Sequence, residues 1–413
     1  MNKPTDTQID GKTGRERRRK YARNAVRAAM LVAAALLLSA SGEWRLAVIV
    51  PAASPLTTVT SLLATRMFQL ASLVGLSVAA ITLIRHRLFC RWACPTGTCA
   101  ECCSMLNRRR LWRPKLPRVG QWVALLTLGG AAIGYPVVAW LDPLAIFSGS
   151  FGVLHSATSP RAAWYALGLA TVLVLSVVWP GLWCSSLCPL GAFQDLLFRL
   201  NLAIRRVMFG KRKRSKKRAT VGLSRRVVLA SLAGVALAAM ARGVRSAAGR
   251  VLRPPGAVDE ERFTGLCTRC GNCLRACPAN IIRPATAEHG ISGLLTPELD
   301  FTDDYCREDC VRCSQVCPSG AIETISREEK ATVSIGLPQV DMDLCLLGDD
   351  RDCFLCRSMC PYEAITLEFC EEEYTLTPRI DAAKCPGCGA CQTACPTAPK
   401  KAIVIVPTVA ARE

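Results

Sequence analysis

Through residue 253 the apolar side chains run in long blocks, whereas in the last 160 residues they come in short pieces between cysteines and glycines. The long blocks cover about residues 28–41, 68–84, 122–141, 164–183 and 227–241. A helix that crosses a bilayer needs roughly 20 apolar residues, with about 17 as a lower limit. The second, third and fourth blocks meet this. The first and fifth are short and need flanking Arg or Lys side chains that snorkel to the interface. The pattern predicts a multi-helix membrane domain of four to five transmembrane helices, followed by a domain of short elements.

Charge sets an orientation. From Pro254 onward, fifteen Lys or Arg face twenty-five Asp or Glu, a net −10, so the total of +20 leaves +30 for the first part. Such an excess suits nucleic acid, but here the basic runs sit between apolar blocks, as cytoplasmic loops do, and nucleic-acid binding is excluded as a function class. The tail with Arg17, Arg18, Arg19 and Lys20, the loop with Arg108, Arg109 and Arg110, and the loop at 211–218 are basic; the intervening loops are not. This places the N-terminus in the cytoplasm of a bacterial inner membrane. The fifth block opens Ser224-Arg225-Arg226-Val227-Val228-Leu229, the form of a twin-arginine export signal. The expected domains are a basic cytoplasmic tail (1–24), a four-helix membrane domain (25–218), a twin-arginine-like signal or fifth span with its linker (219–253), and a periplasmic domain (254–413).

The 24 cysteines fall in tight clusters, unlike the scattered pairs of a disulfide scaffold. Four quartets each end in Cys-Pro: Cys267, Cys270, Cys273, Cys277; Cys306, Cys310, Cys313, Cys317; Cys345, Cys353, Cys356, Cys360; and Cys385, Cys388, Cys391, Cys395. The first and last are C-x2-C-x2-C-x3-C-P, the bacterial ferredoxin run, in which three thiolates wrap one cluster and the fourth ligates its neighbour. Four quartets imply four 4Fe–4S clusters in two pairs, and make residues 254–413 an expected α+β ferredoxin-like domain. Four-cysteine zinc sites are the competing reading, but they rarely repeat the C-x3-C-P ending. Apolar pieces at 321–322, 364–367 and 402–405 follow three quartets as strands of a ferredoxin repeat would.

A second repeat lies in the first half. Cys90-Arg91-Trp92-Ala93-Cys94-Pro95 recurs as Cys184-Ser185-Ser186-Leu187-Cys188-Pro189. At i, i+4 each pair shares one helical face, and the four thiols together would hold one further iron–sulfur centre. Cys99, Cys102, Cys103 and Cys370 carry no assigned role. Quinol oxidation releases protons, and on the proposed outer face Glu43, Asp142 and His155 are the acid–base candidates, against an ordinary loop role for each. No dinucleotide fingerprint, P-loop or nucleophile motif occurs, and no catalytic residue is assigned.

Taken together, residues 44–218 resemble NapH-type membrane ferredoxin subunits, relatives of NosR-like proteins, through the paired C-x3-C-P sites and Leu141-Asp142-Pro143-Leu144. Residues 224–413 resemble NapG-type, twin-arginine-exported four-cluster ferredoxins, the segment 345–367 most of all. The resemblance implies the two subunits of a quinol dehydrogenase fused in one chain. They would take electrons from the membrane quinone pool and pass them to a periplasmic reductase or small cytochrome, with periplasmic nitrate reductase as the family's acceptor. The twin-arginine machinery would be the export partner. One departure is that the cytoplasmic two-cluster tail of NapH-type subunits is missing, because the basic loop at 211–218 runs straight into the export signal. Two alternatives stay open, a NosR-like maturation donor for a periplasmic metalloenzyme and a cytoplasm-facing ferredoxin-linked oxidoreductase.

Overall fold

The computed structural model describes residues 6–39, 45–106, 117–152, 160–208, 225–245, 251–286, 290–349, 351–371 and 374–407. Its first half is helical: α1 (Asp6–Ser39), α2 (Ile49–Ala52), α3 (Pro55–Thr65), α4 (Ser72–Ile84), α5 (Leu88–Trp92), α6 (Pro95–Leu106), α7 (Val119–Ala132), α8 (Pro143–Ser150), α9 (Trp164–Val178), α10 (Pro189–Met208) and α11 (Arg225–Arg245).

Four of these helices begin on proline, at the position where a missing N–H costs nothing. They fall into two pairs. Ser54-Pro55-Leu56 opens α3 as Asp142-Pro143-Leu144 opens α8, and Cys94-Pro95 opens α6 as Cys188-Pro189 opens α10. The helical half is therefore an internal duplication, in which a half-length helix, an apolar helix, a C-x3-C turn and a proline-started helix occur twice. The two copies meet at their caps. The Ser54 hydroxyl donates to the Asp142 carboxylate, which also accepts the Leu144 N–H at 2.9 Å, while Ser54 Oγ accepts the Thr57 N–H at 3.3 Å.

Among the described residues one helix segment, Arg17–Ser39, is long and apolar enough to cross a membrane. The pair Leu46–Ala52 and Pro55–Thr65, bent by 92°, adds a second if it counts as one span. The helices expected as further spans run 13, 14 and 15 residues in α4, α7 and α9, short of the roughly 20 a bilayer core demands. The sequence blocks were longer because they counted apolar residues past the helix ends: 68–71 precede α4, Gly134 turns the chain after α7 with φ +86°, and Gly181 does so after α9 with φ +79°. The expected tail at 1–24 likewise continues into α1 as helix from Asp6. The twin-arginine-like segment forms α11, which packs against α7 through glycine notches. A Cβ on Gly129 would lie 2.2 Å from the Ser231 carbonyl oxygen, and one on Gly234 would lie 2.3 Å from that of Leu126.

Among the described residues the second half holds six short strands, β1 (Ile282–Pro284), β2 (Pro297–Leu299), β3 (Leu337–Val340), β4 (Ile365–Cys370), β5 (Thr375–Ile380) and β6 (Ile403–Val406). All pairing is antiparallel, β1 with β2, β4 with β5, and β3 with β6, the last in register Leu337 to Val406. A bridge between Ala257 and Ile322 does in the first unit what β3–β6 does in the second. Two ferredoxin units of one plan result, each with a hairpin between its quartets and an outer pairing around them. Phe263, Leu266, Leu274, Phe301, Ile322, Ile365 and Ile403 share one core with ligand-type cysteines. Two-stranded sheets are marginal alone, so whatever the cysteines hold contributes to this fold.

The halves dock through the first unit. Ser61 Oγ donates to the Ser319 carbonyl at 2.8 Å, Arg262 to that of Ala64 at 2.8 Å, and Tyr165 Oη to that of Leu295 at 2.6 Å. Arg161 pairs with Glu298 at 3.2 Å.

Candidate metal centres

The ferredoxin half places its sixteen quartet cysteines in four sets. Cys267, Cys270 and Cys273 line one cavity together with Cys317, and Cys306, Cys310 and Cys313 line another with Cys277. In the second unit Cys345, Cys353 and Cys356 surround a cavity with Cys395. Cys385 and Cys388, beside Cys391, lie within electrostatic reach of Cys360. Each set thus takes three thiols from one quartet and the proline-preceding fourth from its partner quartet, the crossed arrangement of a two-cluster ferredoxin.

Local chemistry explains the loops. Gly271 (φ +68°) and Gly389 (φ +87°) turn the chain before short helices at Asn272–Ala276 and Ala390–Ala394. At Gly389 a Cβ would also meet the Phe301 ring at 2.3 Å. The proline-preceding thiols accept main-chain hydrogen bonds, Cys317 from the Ile322 N–H and Cys360 from the Ala364 N–H, both at 3.4 Å. Such bonds stabilise a thiolate and tune the potential of whatever it binds.

Burial pushes the Cys267 and Cys391 thiols up to about 12 and Cys388 up to about 11. Cys395 goes the other way. Burial acts upward there as well, but bonds from the Thr397 side chain and from the Thr397, Ala402 and Ile403 main chain hold it below the usual thiol value. Burial of this kind favours the protonated thiol, and a metal that binds there displaces the proton. Among the described residues no three Cys, His, Asp or Glu side chains lie close enough to hold a single metal ion. Four-thiol sets around open cavities fit a polynuclear group instead, and the donor chemistry suits iron–sulfur clusters.

Two residues that sequence reasoning missed stand next to these sets. Lys330 is 2 % exposed, and its ammonium group donates to the carbonyls of Cys310, at 2.7 Å, and Arg307. In sequence it sits in Arg-Glu-Glu-Lys, which reads as a solvated turn. Arg275 is buried and donates to the Ser148 carbonyl and hydroxyl, both at 2.9 Å, while that hydroxyl lies 3.0 Å from the Cys270 carbonyl. No spacing signal could have found either contact, because each joins segments far apart in the chain.

The C-x3-C-P motifs also converge. Cys90, Cys94, Cys184 and Cys188 line a single cavity of about 530 Å³ with Arg23, Arg27, Arg87, Arg91 and Glu101. The expected helical face is corrected. Cys90 lies in α5 and Cys184 in a single π-helical turn, Trp183–Leu187, whereas Cys94 and Cys188 stand just before the prolines that start α6 and α10. Proline cannot continue the preceding helix, so each pair straddles a helix break. Cys94 Sγ accepts the Gly97 N–H and Cys188 Sγ the Gly191 N–H, both at 3.4 Å. Arg87 ties the repeats together with two 2.6 Å bonds to Asp195 and one of 3.3 Å to the Cys184 carbonyl. Trp183, buried, lines the same cavity with an indole N–H that has no partner among the described residues.

Of the acid–base candidates, Asp142 is not a loop residue on an outer face but a cap 1 % exposed, saturated by Ser54 and Leu144. Glu43 and His155 lie outside the described residues, as do the basic loops at 108–110 and 211–218.

The family model described as "4Fe-4S binding domain" matches residues 67–114 and 161–217, and each segment holds one C-x3-C-P motif. The one described as "4Fe-4S dicluster domain" matches 266–321 and 351–398. The methylamine utilization ferredoxin-type protein MauM of Methylobacillus flagellatus is 35 % identical over 181 residues, 42 % of this chain and 76 % of that protein. The ferredoxin-type protein NapG of Escherichia coli is 36 % identical over 186 residues, 41 % of this chain and 78 % of that protein. MauM of Paracoccus denitrificans is 32 % identical over 197 residues, covering 86 % of its length. No solved structure matches the chain at a significant level. With two dicluster units, crossed cysteine sets and relatives spanned over most of their length, this is an iron–sulfur electron-transfer protein, and the chain belongs to the MauM and NapG family of ferredoxin-type proteins.

Proposed function

We propose that the chain is a membrane-bound electron conduit, a NapH-like helical half fused to a NapG-like ferredoxin half, that carries electrons from membrane quinol to a periplasmic reductase. The observation that carries this reading is the series of thiol sets. The set with Cys270 rests on the helical half at Ser148, the set with Cys277 shares its unit, and Cys306 joins that unit to Cys388 of the second. The sixteen cysteines are the proposed ligands of four 4Fe–4S clusters, which when bound supply one-electron carriers. Cys90, Cys94, Cys184 and Cys188 are the proposed ligands of a further iron–sulfur centre.

Membrane embedding is supported by an inside-out distribution. Leu73, Ile81 and Ile84 of α4, Leu167 and Val174 of α9, and Leu229, Leu232 and Met240 of α11 face outward, while Ser54, Thr57, Thr58, Ser61, Thr127 and Asp142 are buried. An exposed apolar belt of that size around a polar interior suits lipid, not water. Arg23, Arg27, Arg87 and Arg91 gather at the C-x3-C-P cavity beyond the C-termini of α4 and α9, away from the ferredoxin half, which docks near the N-terminus of α9. Under the positive-inside rule that distribution supports a periplasmic ferredoxin half. The close packing of α11 on α7 supports a retained helix over a cleaved signal.

The acceptor follows from the partners' chemistry. MauM and NapG match this chain to the same degree, so nitrate reductase is proposed as one acceptor of a class that takes electrons from such ferredoxins. In membranes holding the protein, a quinol analogue should bleach the visible absorbance of the clusters. Intact iron content without bleaching would remove the quinol claim.

A further inference from the structure

The third quartet departs from the others. Seven residues separate Cys345 from Cys353, where the first and last quartets have two. The extra loop builds a surface. Leu347 turns inward and is buried, while Asp343, Leu344, Asp349 and Asp352 face solvent. Beyond the loop, Phe354 is 50 % exposed, Leu355 45 % and Met359 46 %. Leu355 and Cys353 line the cavity of this thiol set, so apolar surface covers it directly. The first set contrasts with this, since Cys267 and Cys270 are buried beneath the helical half.

Charge is as uneven as hydrophobicity. Residues 341–373 contain ten Asp or Glu and two Arg, a net −8 of the −10 carried by the whole ferredoxin half. The place is also the far end of the series. The first unit docks on the helical half, the second unit joins the first through Cys306 and Cys388, and the cavity of the set with Cys345 includes neither of those two residues.

We propose that this surface, Phe354, Leu355 and Met359 beside Asp349 and Asp352, is the docking face for a redox protein whose cofactor edge is framed by lysines. An apolar centre with a charged rim is the plan of transient interfaces, in which the rim steers encounter and the centre allows close approach. The proposal rests on the electron-transfer reading above and adds where the partner sits. It also orders the quartets in space as first, second, fourth and third, an order the sequence does not suggest.

The test uses the detergent-solubilised full chain with its iron content verified, and horse heart cytochrome c, a small basic haem protein, as the probe. Binding is measured by surface plasmon resonance at low and high ionic strength. The double variant Asp349→Lys, Asp352→Lys should weaken binding ten-fold or more and flatten its salt dependence. The double variant Glu261→Lys, Glu323→Lys, with the same charge change on the first unit, should stay within two-fold of the parent. Equal weakening by both pairs would mean diffuse attraction and overturn the proposal. So would a dimer of the full chain, seen by sedimentation, that the first pair dissolves, because the surface would then belong to a second copy. Low iron in the starting protein would end the electron-transfer reading as well, and it is read before any binding is measured.

Discussion

The main-chain N–H of Cys306 donates to the carbonyl of Cys388 at 2.9 Å, joining a thiol set of the first ferredoxin unit to one of the second. A bond from Thr393 Oγ1 to the Phe301 carbonyl at 3.2 Å fastens the same seam. The two units are therefore continuous at the point where their cysteines approach.

Crossed ligation predicts which thiols each substitution exposes. In a Cys317→Ser variant, Cys267, Cys270 and Cys273 should become open to alkylation, while Cys306, Cys310 and Cys313 stay protected. Mass spectrometry of alkylated peptides reads this directly. The opposite labelling would show that each quartet holds its own cluster.

Lys330 should act on the set it faces. It contributes positive potential at Cys306, whose thiol burial otherwise pushes up, and its donors fix two carbonyls of that loop. Lys330→Met, with iron content unchanged, is expected to make one reduction potential more negative by about 59 mV, ten-fold in a one-electron equilibrium. A redox titration followed by electron paramagnetic resonance would find it, and unchanged potentials would leave Lys330 with a packing role alone.

How much of this was legible beforehand differs between the halves. The quartets, their crossing and the strands near 322, 365 and 403 follow from spacing, because a cluster imposes its geometry on a short loop. The seam at Cys306 and Cys388 does not, since it depends on packing between segments about eighty residues apart. In the helical half, α3 and α8 lie outside the long apolar blocks and carried no pattern of their own. Asp142, the cap of α8, read as an ordinary loop residue or an acid–base candidate. Those blocks overcounted α4, α7 and α9, because hydropathy does not register a glycine that turns the chain.

The meeting of the two repeats makes Asp142 structural. Asp142→Ala removes an N-cap and leaves Ser54 without its acceptor, and should cost about 2 kcal/mol of stability. A lowered thermal midpoint of the detergent-solubilised protein is the readout. Asp142→Asn, which keeps a capping oxygen, should recover at least half of that loss.

The α7–α11 contact should be equally sensitive. Gly234→Leu places a side chain where a Cβ alone would stand 2.3 Å from the Leu126 carbonyl. Overpacking of this kind costs about 1–3 kcal/mol. Increased protease cutting near residue 245 would report α11 leaving its seat, and an unchanged digest would mean that the two helices do not depend on this contact.

The central claim is that sixteen thiols hold four cubane clusters. Iron and acid-labile sulfide should be counted per chain in a variant with Cys90, Cys94, Cys184 and Cys188 all replaced by serine, so that only the ferredoxin half contributes. The account predicts about sixteen of each. A count near eight, or zinc in place of iron, would contradict it.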